Sequence, residues 1–297
     1  MWHFKSLSEF HQINGFPAPE NPMLSLLRCT EHCPMGHNGF TGDFYMIGFK
    51  KMKAGVMIYG KTKYDNTGGG SLYFTKPRQV IELRNIELEE DGFAIYMHED
   101  YLNGHDLHNE IKKYRYFDYE ANEALHLSPR EEQIIWELYN KIETEYYNNQ
   151  DEYSKEIILG HISSILKYSQ RFYKRQFINR TEMSGIMVSK FNNILAAYFE
   201  SGLLNEHGLP TVKYMADQLH VSPGYLSDLL KQETGKTAIE LIHIFLISEA
   251  KNLLKGADNT VAEIANTLGF ENLPYFSRLF KKEVGMSPVQ YKKQSLN

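Results

Sequence analysis

A segment that occurs twice in the last third of the chain sets the tightest limit on its fold. Residues 211–235 read TVKYMADQLHVSPGYLSDLLKQETG, and residues 260–285 read TVAEIANTLGFENLPYFSRLFKKEVG. Ala216 and Leu219 recur as Ala265 and Leu268, Tyr225, Leu226 and Ser227 as Tyr275, Phe276 and Ser277, and Gly235 as Gly285. The second copy is one residue longer, and the extra residue falls in the turn, so both helices stay in phase.

Each copy reads as helix, short turn, helix. Val212, Met215, Ala216 and Leu219 recur at three- and four-residue spacing and share one helix face. Ala216 is small enough to let a second helix approach closely. His220 and Val221 make the turn, Ser222 is a good N-cap, and Pro223 follows where its missing N–H costs nothing. Leu226, Leu229 and Leu230 form the buried face of the second helix, and Gly235 stops it. The second copy repeats the pattern with Val261, Ile264, Ala265 and Leu268, then Phe276, Leu279 and Phe280. A single such pair is common in helical proteins. Two pairs are more specific, and residues 239–255 (IELIHIFLISEAKNLLK) supply one long helix to join them. About 17 residues of helix span roughly 25 Å, and recognition helices that enter successive major grooves sit roughly 34 Å apart.

These residues resemble the AraC/XylS family of bacterial transcription regulators. The resemblance is carried by A-x-x-L-x-V-S-x-x-Y-L at 216–226, E-A-K-x-L-L at 249–254, I-A-x-x-L-G-F at 264–270 and, most specifically, YFSRLFKKEVGMSPVQYK at 275–292. It covers about the last 110 residues. It implies a DNA-binding domain with two helix-turn-helix motifs that read adjacent major-groove segments of double-stranded DNA. Leu246 stands where the family usually has an Arg, which removes the polar contact expected there.

By position in the family pattern, Gly224, Ser227, Asp228, Pro274, Ser277 and Arg278 match groove-facing sites. Helix geometry adds Lys231 and Lys281, and the neighbouring Lys282 joins them as a phosphate candidate. Arg278 is the best base reader, because its planar fork can bond guanine O6 and N7 together; a surface ion pair or a phosphate contact is its ordinary alternative. Asp228 can accept from cytosine or simply solvate its helix. The lysines suit phosphate. Gly224 and Pro274 bring little hydrogen bonding, so DNA shape takes a share of the readout.

The formal net charge of −5 is not that of a strongly basic nucleic-acid binder. Positive charge is local: Arg278, Lys281, Lys282, Lys292 and Lys293 cluster near the end of the sequence. One such domain should bind DNA weakly, so a homodimer on two half-sites is expected. With 297 residues and 42% hydrophobic content, two globular domains are the default. The division is placed at 1–178 and 179–297. There is no apolar run long enough for a membrane span, and the start MWHFKSLSEF lacks signal-peptide character. The two cysteines, Cys29 and Cys33, make no disulfide framework, and a cytoplasmic location is expected.

The first half has a different texture. MLSLLRC, DFYMIGFKKM, VMIYGKTKY, SLYFTKP, QVIELRN and GFAIYMH are short strand candidates with glycine-rich separations. They predict a sandwich or small barrel, and the fold class is α+β multidomain. The resemblance implies a cupin-like barrel that holds a small effector. The tyrosines Tyr45, Tyr59, Tyr73 and Tyr96 can line its pocket or serve as ordinary strand residues. Two clusters invite a metal reading. Cys29, His32, Cys33 and His37 fit no familiar zinc spacing, and a loop with one buried Cys is the plainer account. His98, His105 and His108, with Asp100 and Asp106, read better as a loop-to-helix surface than as strand-borne ligands. No metal or cofactor is assigned.

From Ser128 the chain turns helical, with Ser128 as N-cap and Pro129 in the first turn. Ile134, Ile135, Leu138, Tyr139, Ile142 and Tyr146 make one stripe; Ile158, Ile162, Ile165, Leu166, Phe172 and Tyr173 make a second. This pair, about 128–177, packs on the strands, in an intrachain bundle or across a two-fold axis; in the resembling family it is often the dimer interface. The first helix of the DNA-binding domain is expected near 188–200. The reading is an effector-responsive transcription regulator, not an enzyme, that can also contact RNA polymerase. The alternatives are a metal-dependent cupin enzyme fused to a DNA-binding module, and a constitutive DNA binder without an effector.

Overall fold

The structure, a computed structural model, describes residues 2–29, 40–51, 57–59, 62–64, 70–81, 92–119, 123–149, 151–179, 181–255 and 259–295. It divides into two compact units, Met1–Ile178 and Asn179–Asn297. No helix among the described residues is long and apolar enough to cross a membrane.

The first unit carries strands β1 (Trp2–Phe4), β2 (Leu24–Cys29), β3 (Phe40–Gly42), β4 (Phe44–Lys50), β5 (Met57–Tyr59), β6 (Thr62–Tyr64), β7 (Ser71–Thr75), β8 (Gly92–His98) and β9 (Leu125–His126). Its helices are α1 (Leu7–Asn14), α2 (Leu107–Glu110), α3 (Pro129–Tyr147) and α4 (Ser154–Asn179). The main sheet is antiparallel in the order β2-β8-β4-β7-β9. β1 pairs with β3 in parallel, and β5 pairs with β6 antiparallel. β8 is central, and Gly92 to Met97 are all buried. A strand covered on both faces has no need of polar alternation, which is why GFAIYMH reads as a continuous apolar run.

One face of the sheet belongs to the helices. The ring of Phe93 stacks on Tyr139 of α3 at 4.1 Å, Trp136 meets Phe49 edge-on at 5.4 Å, and Phe74 packs against Tyr116 at 4.6 Å and Tyr173 of α4 at 6.4 Å. The α3 residues Ile135, Tyr139, Ile142 and Tyr146 are buried this way, as are Ile158, Ile162, Ile165 and Leu166 of α4. Ile134 and Leu138 of the α3 stripe remain half-buried. α3 starts as its sequence dictates, with a Ser128–Glu131 capping box and Pro129 in the first turn.

The opposite face is closed at one end by α1. Phe10 packs on Tyr96 at 4.9 Å and on Phe44 at 5.4 Å. Phe4, Leu7, Phe40, Ile81 and Ala94 complete this cluster. Ser6 caps α1 by accepting from the Glu9 N–H, and Gly15 ends it at φ 72°.

The histidine cluster is engaged locally. His98 Nδ1 accepts from the Asp100 N–H at 3.2 Å, and His105 Nδ1 from the Leu107 N–H at 3.0 Å. His108 Nε2 lies 2.8 Å from Lys112 Nζ. Among the described residues no three His, Cys, Asp or Glu side chains converge as metal ligands. His32, Cys33 and His37, and the QVIELRN segment beyond Ile81, lie outside the described residues, as does the side chain of Cys29.

The second unit is helical: α5 (Thr181–Glu200), α6 (Leu203–His207), α7 (Val212–Leu219), α8 (Pro223–Thr234), α9 (Ala238–Leu254), α10 (Val261–Thr267), α11 (Leu273–Val284) and α12 (Pro288–Ser295). α5 begins earlier than the expected 188, at Thr181, and runs through Gly185. One apolar core joins Phe191 and Leu195 of α5, Met215 and Ala216 of α7, Leu226 and Leu230 of α8, Ile242, Leu246, Ala250 and Leu254 of α9, and Ile264, Ala265, Phe276 and Phe280 of the last pair.

Candidate nucleic-acid interface

Each helix of the repeated segment is fixed at both ends by its own sequence. Thr211 accepts from the Tyr214 N–H to start α7, and His220 ends it in the left-handed region at φ 56°. Ser222 accepts from the Tyr225 N–H to start α8, and Gly235 ends it at φ 75°. In the second copy Thr260 and Glu263 form a capping box for α10. Asn272 then accepts from the Tyr275 N–H to start α11, which Gly285 ends at φ 85°. Side chains that satisfy orphan N–H groups set where each helix begins, and so which residues face outward. α9 joins the pairs, with a Thr237–Glu240 capping box at its start. The backbone and side-chain donors of Thr237 hold the Glu240 carboxyl below the usual carboxylate range.

The two copies differ in what they present. On α11, Pro274, Arg278, Lys281 and Lys282 are exposed and Ser277 is partly so. Among the described residues, no carboxylate makes an ion pair with Arg278, Lys281 or Lys282. On α8, Lys231 is exposed, while Gly224 and Asp228 are partly covered. Ser227 is only 5% exposed. The helix-wheel placement of Ser227 on an outward face is therefore corrected. Tyr225, Leu226, Ser227, Leu229 and Leu230 are all buried, a wider face than three leucines imply. α8 packs against α5, α7 and α9, and α11 against α9, α10 and α12, yet Tyr275 is 38% exposed where Tyr225 is 2%.

Leu246 is fully buried in the shared core. An apolar side chain at that point extends the packing of α9, and no polar group reaches outward from it. Glu233, in α8, has both carboxylate oxygens shielded from solvent without a hydrogen-bond partner. Burial pushes its carboxyl up to about 7. A folded-state value above the unfolded one favours the protonated form. The associated stability is complete below about pH 4.5, the unfolded value, and is lost as pH rises through 7. Glu233→Gln is expected to raise stability of the second unit at pH 8 by roughly 1 kcal/mol, since partial exposure screens much of the full linkage. It should also flatten the stability profile between pH 5 and 8. Hydrogen exchange of α8 amides against pH checks this; an unchanged slope in the variant would rule out Glu233 as the source.

Residues 215–294 match a family model described as a helix-turn-helix domain. Over 82 residues the chain is 37% identical to the uncharacterized HTH-type transcriptional regulator YobQ of Bacillus subtilis (strain 168), covering 28% of this chain and 34% of that one. Over 143 residues it is 27% identical to the HTH-type transcriptional activator RhaR of Yersinia pestis bv. Antiqua (strain Angola), covering 47% of this chain and 44% of the relative. The chain thus spans between a third and a half of the length of these two relatives. Among solved structures it is similar to the C-terminal domain of AraT, a response regulator from Geobacillus stearothermophilus, at 34% identity and TM-score 0.29, over 34% of this chain and 84% of that one. The match over 215–294, the two capped helix pairs and the shared apolar core lead to one assignment: residues 215–294 of this chain form a helix-turn-helix domain.

Proposed function

We propose that the protein is a sequence-specific DNA-binding transcription regulator. The observation that carries this is the exposed cationic face of α11, where Arg278, Lys281 and Lys282 stand clear of the core on a helix anchored by Phe276, Leu279 and Phe280. The two helix pairs are read as two helix-turn-helix motifs set by α9. In this reading α11 reads bases through Arg278, and Lys281 and Lys282 meet phosphate. α8 contributes docking through Lys231 more than base contacts, because Ser227 is buried and Gly224 has no side chain.

Two substitutions test this division. Ser227→Ala should leave DNA affinity within about twofold, since a buried hydroxyl cannot gain a base contact. Lys281→Ala should weaken binding to every sequence alike and lower the slope of log affinity against log salt by about 1. Titrations of labelled duplex at several salt concentrations measure both. A loss of sequence preference in Ser227→Ala, or an unchanged salt slope in Lys281→Ala, would overturn the assignment of roles.

The first unit is read as a cupin-like effector domain. A small molecule bound there would shift the population of conformers competent for DNA, in the amount set by its differential affinity. The local basic patch on a chain of net charge −5 favours action as a homodimer on paired half-sites in the cytoplasm, with RNA polymerase as a further partner.

A further inference from the structure

The sheet face that α1 covers at one end carries polar groups at the other. Lys50 of β4 lies opposite Ser71 of β7, Gly48 opposite Tyr73, and Met46 opposite Thr75. Ser71 in turn pairs with His126 of β9. Opposed residues share a face, as do residues two apart on one strand. Lys50, Ser71, Tyr73, Thr75 and His126 therefore form one polar row. It runs beside the small pair Gly48 and Ala94, which oppose each other across β4 and β8.

The row is incompletely satisfied. Lys50 Nζ sits 4.7 Å from the centroid of the Tyr73 ring. Burial pulls its ammonium below the usual range. Neighbouring Lys51 has Glu132 at 3.7 Å, but among the described residues Lys50 has no carboxylate in ion-pair range. A ring face offsets only part of the cost of taking an ammonium out of water. The Tyr73 hydroxyl and Thr75 Oγ1 are shut off from solvent and lack hydrogen-bond partners among the described residues. Ser71 is within weak hydrogen-bonding reach of the Tyr73 hydroxyl, but its well-formed hydrogen bond is to His126 Nδ1, at 2.9 Å. Gly48 leaves the row without a side chain between Lys50 and Met46, and a Cβ added there would make ordinary van der Waals contact, at 3.8 Å with Met46 Cε and 4.0 Å with the Phe93 oxygen.

We propose that this face binds a small organic carboxylate, with Lys50 as its counter-charge and the Tyr73 and Thr75 hydroxyls as hydrogen-bond partners. The inference rests on the effector reading and gives that effector a chemical class. One ammonium and two hydroxyls suit a monoanion; a dianionic phosphate draws more cationic donors or a guanidinium fork.

The test is calorimetric titration of the full chain with benzoate, 4-hydroxybenzoate, pyruvate and citrate, beside the neutral compounds benzyl alcohol and glucose. Wild type is compared with Lys50→Met and Gly48→Leu, each first shown to melt cooperatively. The expected result is that at least one carboxylate binds and the neutral compounds do not. Lys50→Met should weaken that binding roughly 10- to 100-fold, the usual value of a hydrogen bond to a charged group. Gly48→Leu should weaken it by projecting a bulky side chain onto this face, without touching charge. Carboxylate binding that both variants leave unchanged would overturn the site. Binding of a neutral compound alone would overturn the carboxylate class and leave the effector reading standing. No binding by any carboxylate overturns the proposal, and if in addition none of the six compounds alters binding of the protein to its selected DNA, the effector reading falls with it.

Discussion

Arg278→Ala is expected to relax the DNA preference at one base position while lowering affinity for non-specific duplex only slightly. Arg278 projects from α11 without an ion pair among the described residues, so its guanidinium fork is available for guanine. A bidentate contact of this kind is worth about 1–3 kcal/mol of discrimination, or roughly 5- to 150-fold between guanine and other bases at that position. A phosphate contact would behave differently. It would cost affinity evenly across sequences and lower the salt slope by about 1. Competition titrations with duplexes that vary at each site position separate the two. An even loss would move Arg278 to the phosphate-binding set.

Phe276→Ala should produce the largest loss of stability. Phe276 is fully buried and packs on Phe270 at 5.0 Å and Phe280 at 5.9 Å. Truncating a buried phenylalanine typically costs about 3–5 kcal/mol, from lost burial plus the cavity left behind. Here it also removes the anchor that holds α11 with Arg278 outward, so folding and DNA binding should fail together. A chain of two units has no single unfolding free energy, so the readout is local. Hydrogen exchange should show α10 and α11 amides losing protection while α3 and α4 keep theirs. Equal loss in both units would contradict an anchoring role confined to the second.

The parts of the fold that were legible in the sequence are those set by neighbours in the chain. Ser222 with Pro223, Gly235 and Gly285 mark helix ends because capping and positive φ are local demands. The strands Leu24–Cys29, Phe44–Lys50, Ser71–Thr75 and Gly92–His98 stand close to where their apolar runs place them. Other features needed tertiary contacts. The wheel put Ser227 outward because it treats α8 as buried on one side only; α8 packs against α5, α7 and α9, and Ser227 is buried. β1 and β3 are short, and they pair in parallel across nearly forty residues, a register no local pattern announces. The Ser6–Glu9 cap of α1 is a local signal, but an eight-residue helix shows little periodicity to accompany it. The α3 and α4 stripes were readable as apolar, but whether they face the sheet or a partner depends on contacts such as Phe93 on Tyr139.

The central claim is that this chain selects DNA by sequence and that α11 leads the selection. The direct measurement is selection from a random duplex library with the purified full chain, carried out in parallel for wild type and Arg278→Ala. The account predicts an enriched site for wild type, built of two segments about one helical turn apart. One segment should carry most of the information, with a guanine whose enrichment disappears in the variant. Identical enriched sites for the two proteins, or recovery of duplex without any sequence preference, would contradict it.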